Sequence, residues 1–256
     1  MATLHLLVEA GWKNPAIFTL EYTLAPNAVY PSQIEESAAG YQHVLDVVQD
    51  PSKVCIAGDS AGGTMILSLL LELGAKRLRE KGSSNVHLAA ESVSNWAESR
   101  SVPVPRIAVL ISPWVTLTST LHRESKIDFL DREALWRYAH QYARSKYIEE
   151  VPASPGCCTE SALWKASTPQ RGFYVVYGNE EVLGPDIDSF LSRIESFGIE
   201  HDTLKFTGDC GVHAWPVVSL FLSSTTERRL KGLRSIVREI RARSLESVAE
   251  KNGDEI

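Results

Sequence analysis

The sequence contains few cysteines and no long apolar run. Its four cysteines, Cys55, Cys157, Cys158 and Cys210, are too few and too irregularly spaced for a disulfide framework or a zinc site. No apolar stretch reaches the roughly 20 residues that a membrane-spanning helix needs. The first residues, MATLHLLVEAGWK, lack the basic start and apolar core of a secretory signal. We therefore expect a reduced, metal-free protein inside the cell.

An excess of positive charge is also absent. Lys and Arg number 26 against 32 Asp and Glu, which leaves a formal charge of −6 and gives no electrostatic reason to expect nucleic acid as a partner. There is no internal repeat and no low-complexity tract. A length of 256 residues with 44% hydrophobic content is enough for a sizeable core. We expect one domain over residues 1–256.

Apolar runs of strand length alternate with helical patterns, which predicts a mostly parallel sheet with helices on both faces. The predicted strands cover residues 16–22, 54–57, 107–111, 173–177 and 203–206. The first of the helices between them begins at an S-x-x-E capping box, Ser32 and Glu35. Residues 82–105 are polar and predict a surface loop. The alternation breaks at about residues 115–169, where we expect a lid-like insertion with a helix from about 133 to 147.

The stretch GDSAGG, residues 58–63, joins a predicted buried strand to a predicted helix over residues 64–81. A nucleophilic serine needs such a sharp strand-to-helix turn, and the amide of Ala61 can then face a developing oxyanion. A glycine-rich turn with an incidental serine is the alternative, and the context favours Ser60 as a nucleophile. The similar GDSGG of trypsin-like proteases does not fit, because those proteases carry their His and Asp upstream on an all-β scaffold.

A serine nucleophile requires a base and an acid from later in the chain. His213, in a loop before the last predicted helix, is a better base than His201, which begins a strand. The acid belongs in the loop after the strand at 173–177, where Glu180, Glu181 and Asp186 compete. The residues alone do not rank these three carboxylates.

Several motifs, taken together in the order in which they occur along the chain, resemble those of the hormone-sensitive-lipase-like family of α/β-hydrolases. They are EYTLAP (21–26), YPSQIEE (30–36), GDSAGG (58–63), SPW (112–114), GNEEVL (178–183) and VHAWP (212–216). The closest likeness is to fungal esterases of the steryl-acetate-hydrolase type. The resemblance implies Ser60 as nucleophile, His213 as base and Glu181 as acid, and an apolar ester with a short acyl chain as substrate. Receptors in this family lack the catalytic histidine, so His213 argues against that role.

The family carries an HGGG-type motif upstream of EYxLAP, whose amides supply further oxyanion donors. This chain begins in what resembles the helix after that motif, residues 2–10, so we expect it to be N-terminally truncated. Losing one oxyanion donor typically costs about 100- to 1,000-fold in rate. The alternative function is therefore a catalytically impaired or silent remnant that binds a ligand at most.

Residues from Trp215 to about 248 predict a basic amphipathic helix. We expect it to dock on the protein, although such a helix can also lie on a membrane surface. Asp59, Trp114 and Trp215 flank the catalytic segments and are candidates for substrate contact. The sequence thus predicts a carboxylesterase or lipase-like serine hydrolase of the α/β-hydrolase fold. It needs no metal or organic cofactor, and its partner is a small ester.

Overall fold

The computed structural model of the protein describes residues 2–82 and 102–251. They fall into two compact units. The first combines Met1–Thr19 with Ala214–Ile256, and the second is Leu20–His213. Across the described ranges, no helix combines the length and the apolarity needed to span a bilayer.

A parallel four-stranded sheet forms the centre of the second unit. Its strands, in the order in which they pair, are β1 (Cys55–Asp59), β2 (Ile107–Ile111), β3 (Phe173–Gly178) and β4 (His201–Phe206). The predicted parallel α/β arrangement is confirmed. β2 and β3 are buried throughout, as their continuous apolar sequences require. We expected β1 to be buried too, and this was wrong, because among the described strands β1 lies at an edge and alternates between half-buried and exposed residues.

Helices flank this sheet: α2 (Ser32–Val48), α3 (Ala61–Glu80), α4 (Arg132–Tyr147), α5 (Ser161–Ser167) and α6 (Gly184–Ser196). α3 follows β1 directly, and it buries Leu67, Leu70 and Leu71 completely in the main apolar core. Its predicted span, 64–81, began three residues too late, because helical geometry starts immediately after Ser60. This burial gives the turn between β1 and α3 a rigid base.

The first unit contains α1 (Ala2–Glu9), α7 (Trp215–Leu222) and α8 (Thr226–Lys251). α8 packs on α7 and α1, and it buries Leu233, Ile236 and Val237, so the predicted docking of its apolar side is confirmed. Contact with a membrane stays a prediction. The single helix expected from Trp215 onward is divided, because Ser223 adopts an extended conformation and its carbonyl accepts a hydrogen bond from Arg229 Nε at 2.6 Å.

Two local predictions are wrong. Residues 16–22 form no strand and pair with none of the described strands, although their residues are β-prone. The capping box does not form, because Ser32 is already the first helical residue and Pro31 precedes it. Glu36 instead accepts hydrogen bonds from the amide and the hydroxyl of Thr23, each at 2.7 Å. The predicted loop at 82–105 lies mostly outside the described residues, which resume at 102.

The segment at 115–169 contains α4 where a helix was predicted, and also α5, which was not expected. α5 packs against α3, and its Trp164 is fully buried with its ring centroid 5.3 Å from that of Phe190. The second half of the segment is therefore part of the core. The role of residues 115–169 as a lid stays a prediction.

Candidate active site

Ser60 stands at the turn between β1 and α3 in a strained conformation. Its φ of 51° and ψ of −118° lie outside the regions that residues with a side chain normally occupy. The backbone holds this shape because Ser60 N donates to Ile111 O at 2.9 Å and Trp114 N donates to Ser60 O at 3.1 Å. The side chain is half-buried rather than enclosed. Such strain at one serine is typical of a nucleophile turn.

A close backbone approach at this turn requires Gly58. A Cβ on Gly58 would lie 2.5 Å from Gly62 O, so any other residue would push β1 away from α3. Gly62 has no such close neighbour, because a Cβ there would meet no atom of another described element within 4 Å. Ala61, the predicted oxyanion donor, is the first residue of α3, so its amide lies at the positive end of that helix.

The structure separates the three competing carboxylates. Glu180 is exposed to solvent. Asp186 is buried, but it accepts a hydrogen bond from Thr116 N at 3.0 Å and faces His122 Nε2 at 3.9 Å. Glu181 is fully buried and its Oε1 lies 4.0 Å from His213 Nδ1. Of the three, Glu181 is the one that faces the predicted base.

His213 and Glu181 present to each other two polar atoms that lack a partner. His213 Nδ1 and Glu181 Oε1 are both buried, and neither has a hydrogen-bond partner within the described chain. A separation of 4.0 Å is too long for a hydrogen bond, and a closure of about 1 Å would form one. Because unsatisfied buried polar atoms are costly, the two atoms are natural partners for each other.

Burial also changes the ionisation of this pair. It raises the pKa of Glu181 to about 7, opposed by the hydrogen bonds from Ser112 and from Gly178 N. It lowers the pKa of His213, opposed by the negative charge of Asp128. His213 is therefore neutral at neutral pH, as a general base must be. Glu181 becomes an ionised acceptor for its Nδ1 proton above about pH 7.

The loops that carry Glu181 and His213 touch through their backbones. Glu180 N donates to Gly211 O at 2.9 Å. A Cβ on Gly178 would lie 2.1 Å from Gly211 O, so the contact requires glycine at the end of β3. The order of β3 and β4 in the sheet thus brings together residues that are far apart in sequence.

Ser112 and Arg123 were not predicted from the sequence, and both side chains hold the acid loop. Ser112 Oγ donates to Glu181 Oε2 at 2.6 Å, and Gly178 N donates to the same oxygen at 3.0 Å. Arg123 Nε donates to Glu181 O at 3.0 Å. The SPW motif contained Ser112, and its place directly after a buried strand was the one available signal. Nothing in the sequence pointed to Arg123.

The remaining candidates for substrate contact differ in position. Asp59 is an exposed residue at the end of β1. Trp114 is 6% exposed and belongs to the apolar core, where its carbonyl accepts a hydrogen bond from Thr64 Oγ1 at 2.6 Å. Trp215 is the first residue of α7, in the other unit. The described residues contain no group of His, Cys, Asp and Glu side chains suited to a metal ion.

Residues 13–215 match the family of proteins described as having the alpha/beta hydrolase fold, which is most of the chain. The protein therefore belongs to that family, and the predicted fold class is confirmed. Solved structures agree with this fold. Carboxyl esterase 2 of the fungus Tuber melanosporum matches with a TM-score of 0.71 at 23% identity over 94% of this chain and 71% of that one. A hormone-sensitive lipase from a metagenome library matches with a TM-score of 0.68 at 20% identity. This match covers 94% of this chain and 71% of that one.

Similar sequences carry names of acetyl hydrolases. An acetyl-hydrolase of Streptomyces hygroscopicus is 28% identical over 175 residues, which are 67% of this chain and 48% of that protein. The Schizosaccharomyces pombe protein mug81, whose name describes a steryl acetyl hydrolase, is 26% identical over 193 residues. These residues are 71% of this chain and 45% of that protein. The chain thus spans about half the length of these two relatives. The resemblance to hormone-sensitive-lipase-like proteins and to the steryl acetyl hydrolase group is confirmed.

Proposed function

We propose that the protein is a serine carboxylic-ester hydrolase that works through an acyl-enzyme. The observation that carries this proposal is the buried pair of unpartnered atoms, Glu181 Oε1 and His213 Nδ1, 4.0 Å apart. It supports a His213 tautomer with hydrogen on Nδ1, in which Nε2 is the proton acceptor. The strained turn at Ser60, in the same compact unit, supports Ser60 as the nucleophile.

In the first half of the reaction, His213 Nε2 takes the proton of Ser60 Oγ as the oxygen attacks the ester carbonyl. The amide of Ala61 donates to the oxyanion that forms, and Glu181 stabilises the imidazolium. The tetrahedral intermediate collapses when the alkoxide leaves with the proton from His213. Ser60 then carries the acyl group, and the alcohol is released.

In the second half, His213 removes a proton from water, which attacks the acyl-enzyme carbonyl. The intermediate breaks the bond to Ser60 Oγ, which regains a proton from His213. The products are the carboxylic acid and free enzyme, so no cofactor is needed by this route.

We infer that the substrate is an apolar ester with a short acyl chain. The names of the two acetyl-hydrolase relatives support a small acyl group. A series of nitrophenyl esters from acetate to decanoate tests this inference. We expect kcat/KM to fall as the acyl chain lengthens, and a maximum at eight carbons or more would contradict a short-acyl preference.

The central experiment combines labelling by a fluorophosphonate probe with hydrolysis of nitrophenyl acetate. We expect the probe to modify the peptide that contains Ser60. We expect Ser60→Ala and His213→Gln each to reduce kcat by about four to six orders of magnitude. His201→Gln is the matched control, since His201 lies on β4, where its Nδ1 is 3.2 Å from Ile199 O, and it should retain activity.

The second candidate is a silent member of the fold, and the 4.0 Å separation of Glu181 Oε1 from His213 Nδ1, which is longer than a hydrogen bond, favours it. It predicts that wild type and Ser60→Ala give the same rate and that neither reacts with the probe. Such a result would overturn the proposed hydrolase.

A further inference from the structure

Asp128 hydrogen-bonds to both loops of the candidate site. It lies in the segment between β2 and α4 and is half-buried. Its Oδ2 accepts from Val182 N at 2.8 Å, and its Oδ1 accepts from His213 N at 3.2 Å. Val182 directly follows Glu181, so one carboxylate holds the backbone of the acid and the backbone of the base.

The same segment makes further contacts with these loops. Arg123 N donates to Val182 O at 3.2 Å, in addition to the bond from Arg123 Nε to Glu181 O. Phe129 places its ring edge-on to the His213 imidazole, with centroids 5.8 Å apart and planes at 72°. Phe129 N also donates to Asp128 Oδ1 at 2.9 Å, which fixes the carboxylate against the turn. Residues 123–129 therefore form a support for Glu181 and His213.

Besides accepting these hydrogen bonds, Asp128 affects the ionisation of Glu181 and His213 through its charge. The ionisable groups that face Glu181 and His213 are Asp128 and Arg123 from this segment and Tyr177 from β3. Burial raises the pKa of Tyr177, so its hydroxyl stays neutral. The Asp128 charge raises the pKa of Glu181 and that of His213, and Arg123 lowers that of Glu181.

We propose that Asp128 is a positioning residue, which joins the acid loop to the base loop and sets the pH range in which Glu181 and His213 work. This inference rests on the proposed hydrolase function. Removing the charge stabilises the ionised form of Glu181 and destabilises the imidazolium of His213. Both effects move the titration of the pair to lower pH.

The test compares Asp128→Asn with Asp131→Asn. Asp131 also carries one negative charge and accepts a hydrogen bond from Ala134 N at 2.7 Å as the N-cap of α4, a role that asparagine fills equally well. For Asp128→Asn we expect kcat for nitrophenyl acetate to fall about tenfold and the acid limb of kcat/KM to move down by about one pH unit. Asp131→Asn should match wild type in both measurements.

A second readout does not depend on turnover. The ring signals of His213, followed by NMR across pH 4 to 9, report the titration of the pair. We expect the midpoint to move to lower pH in Asp128→Asn and to stay in place in Asp131→Asn. A variant that loses activity with an unmoved acid limb and an unmoved NMR midpoint would overturn the inference. If the wild type neither turns over nor labels at Ser60, the proposed hydrolase fails, and the NMR midpoint still decides the role of Asp128.

Discussion

The Glu181 carboxylate divides its two oxygens between different partners. Oε2 accepts from Ser112 Oγ and Gly178 N, while Oε1 faces His213. A carboxylate held in this way cannot rotate without losing a bond inside the core, so its orientation toward the imidazole is fixed by Ser112. Ser112 is itself fully buried and has a φ of 45°, which is unusual for a residue with a side chain.

Replacing Ser112 tests this arrangement. The hydrogen bond from Ser112 lowers the pKa of Glu181, so Ser112→Ala should raise it, and the acid limb of kcat/KM should move to higher pH. The free energy of unfolding should also fall by about 1–3 kcal/mol, as for a lost hydrogen bond to a charged group. Urea denaturation and a pH profile measure the two effects.

Ser119→Ala is the matched control, because Ser119 is a buried serine that hydrogen-bonds to Asp186 instead. An acid limb that moves equally in both variants would show that Ser112 has no particular link to Glu181. The shift expected for Ser112→Ala is opposite in sign to that expected for Asp128→Asn.

At the residue scale the sequence indicated candidate side chains, but it did not indicate which of them contact each other. Ser60 and His213 followed from motif and chain order. The sequence could not rank the three candidate acids, Glu180, Glu181 and Asp186. The feature that separates them is a contact with a histidine 27 to 33 positions further along the chain. Asp128 and Arg123 gave no signal, since charged residues in a polar loop usually face solvent.

Among the elements, buried strands were the most predictable. The apolar runs of β2 and β3 matched within one residue, because a strand covered on both faces must be apolar throughout. Residues 16–22 have similar composition but no strand to pair with among those described, so β propensity alone did not produce a strand. α5 was missed because seven residues are too few to show a helical period.

The junction between β3 and the loop of His213 gives a prediction at the element scale. In Gly178→Ala the new Cβ would lie 2.1 Å from Gly211 O, so the backbones must separate. A displacement near 1 Å can cost about 100-fold in rate, and we expect a loss of this size in kcat. Nitrophenyl acetate turnover measures it, and circular dichroism checks folding.

The matched variant is Gly184→Ala at the first residue of α6, where the nearest atom to a Cβ is Gly178 O at an ordinary 3.5 Å. It should keep activity close to that of wild type. Equal losses in the two variants would mean that the close approach at Gly178 is not what aligns Glu181 with His213.

For the whole molecule, the buried Glu181 makes stability depend on pH. Its pKa is raised from 4.5 to about 7 in the folded state, so the folded state binds a proton that the unfolded state releases. Wild type should therefore lose stability relative to Glu181→Gln as pH rises from 4.5 to 7, by about 3 kcal/mol in total. Glu181→Gln should also be far less active than wild type at pH 8.

Urea denaturation at pH 4.5 and pH 8 measures this difference. Glu180→Gln removes one charge from the exposed neighbouring position and serves as the control. A difference between wild type and Glu181→Gln that is the same at both pH values would contradict the burial argument.

The predicted single domain over residues 1–256 stays a prediction. Ser60, Glu181 and His213 all belong to the unit Leu20–His213.

The bonds made by Asp128 restrict where a covering flap could hinge. Residues 123–129 cannot swing outward without releasing the amides of Val182 and His213, and α5 is anchored in the core by Trp164. α4 is held as well, because Leu135, Ala139 and Ala143 are buried in the main apolar core. If residues 115–169 cover the site, an ester must then enter past a fixed cover, and the bonds that hold Glu181 and His213 stay intact during entry.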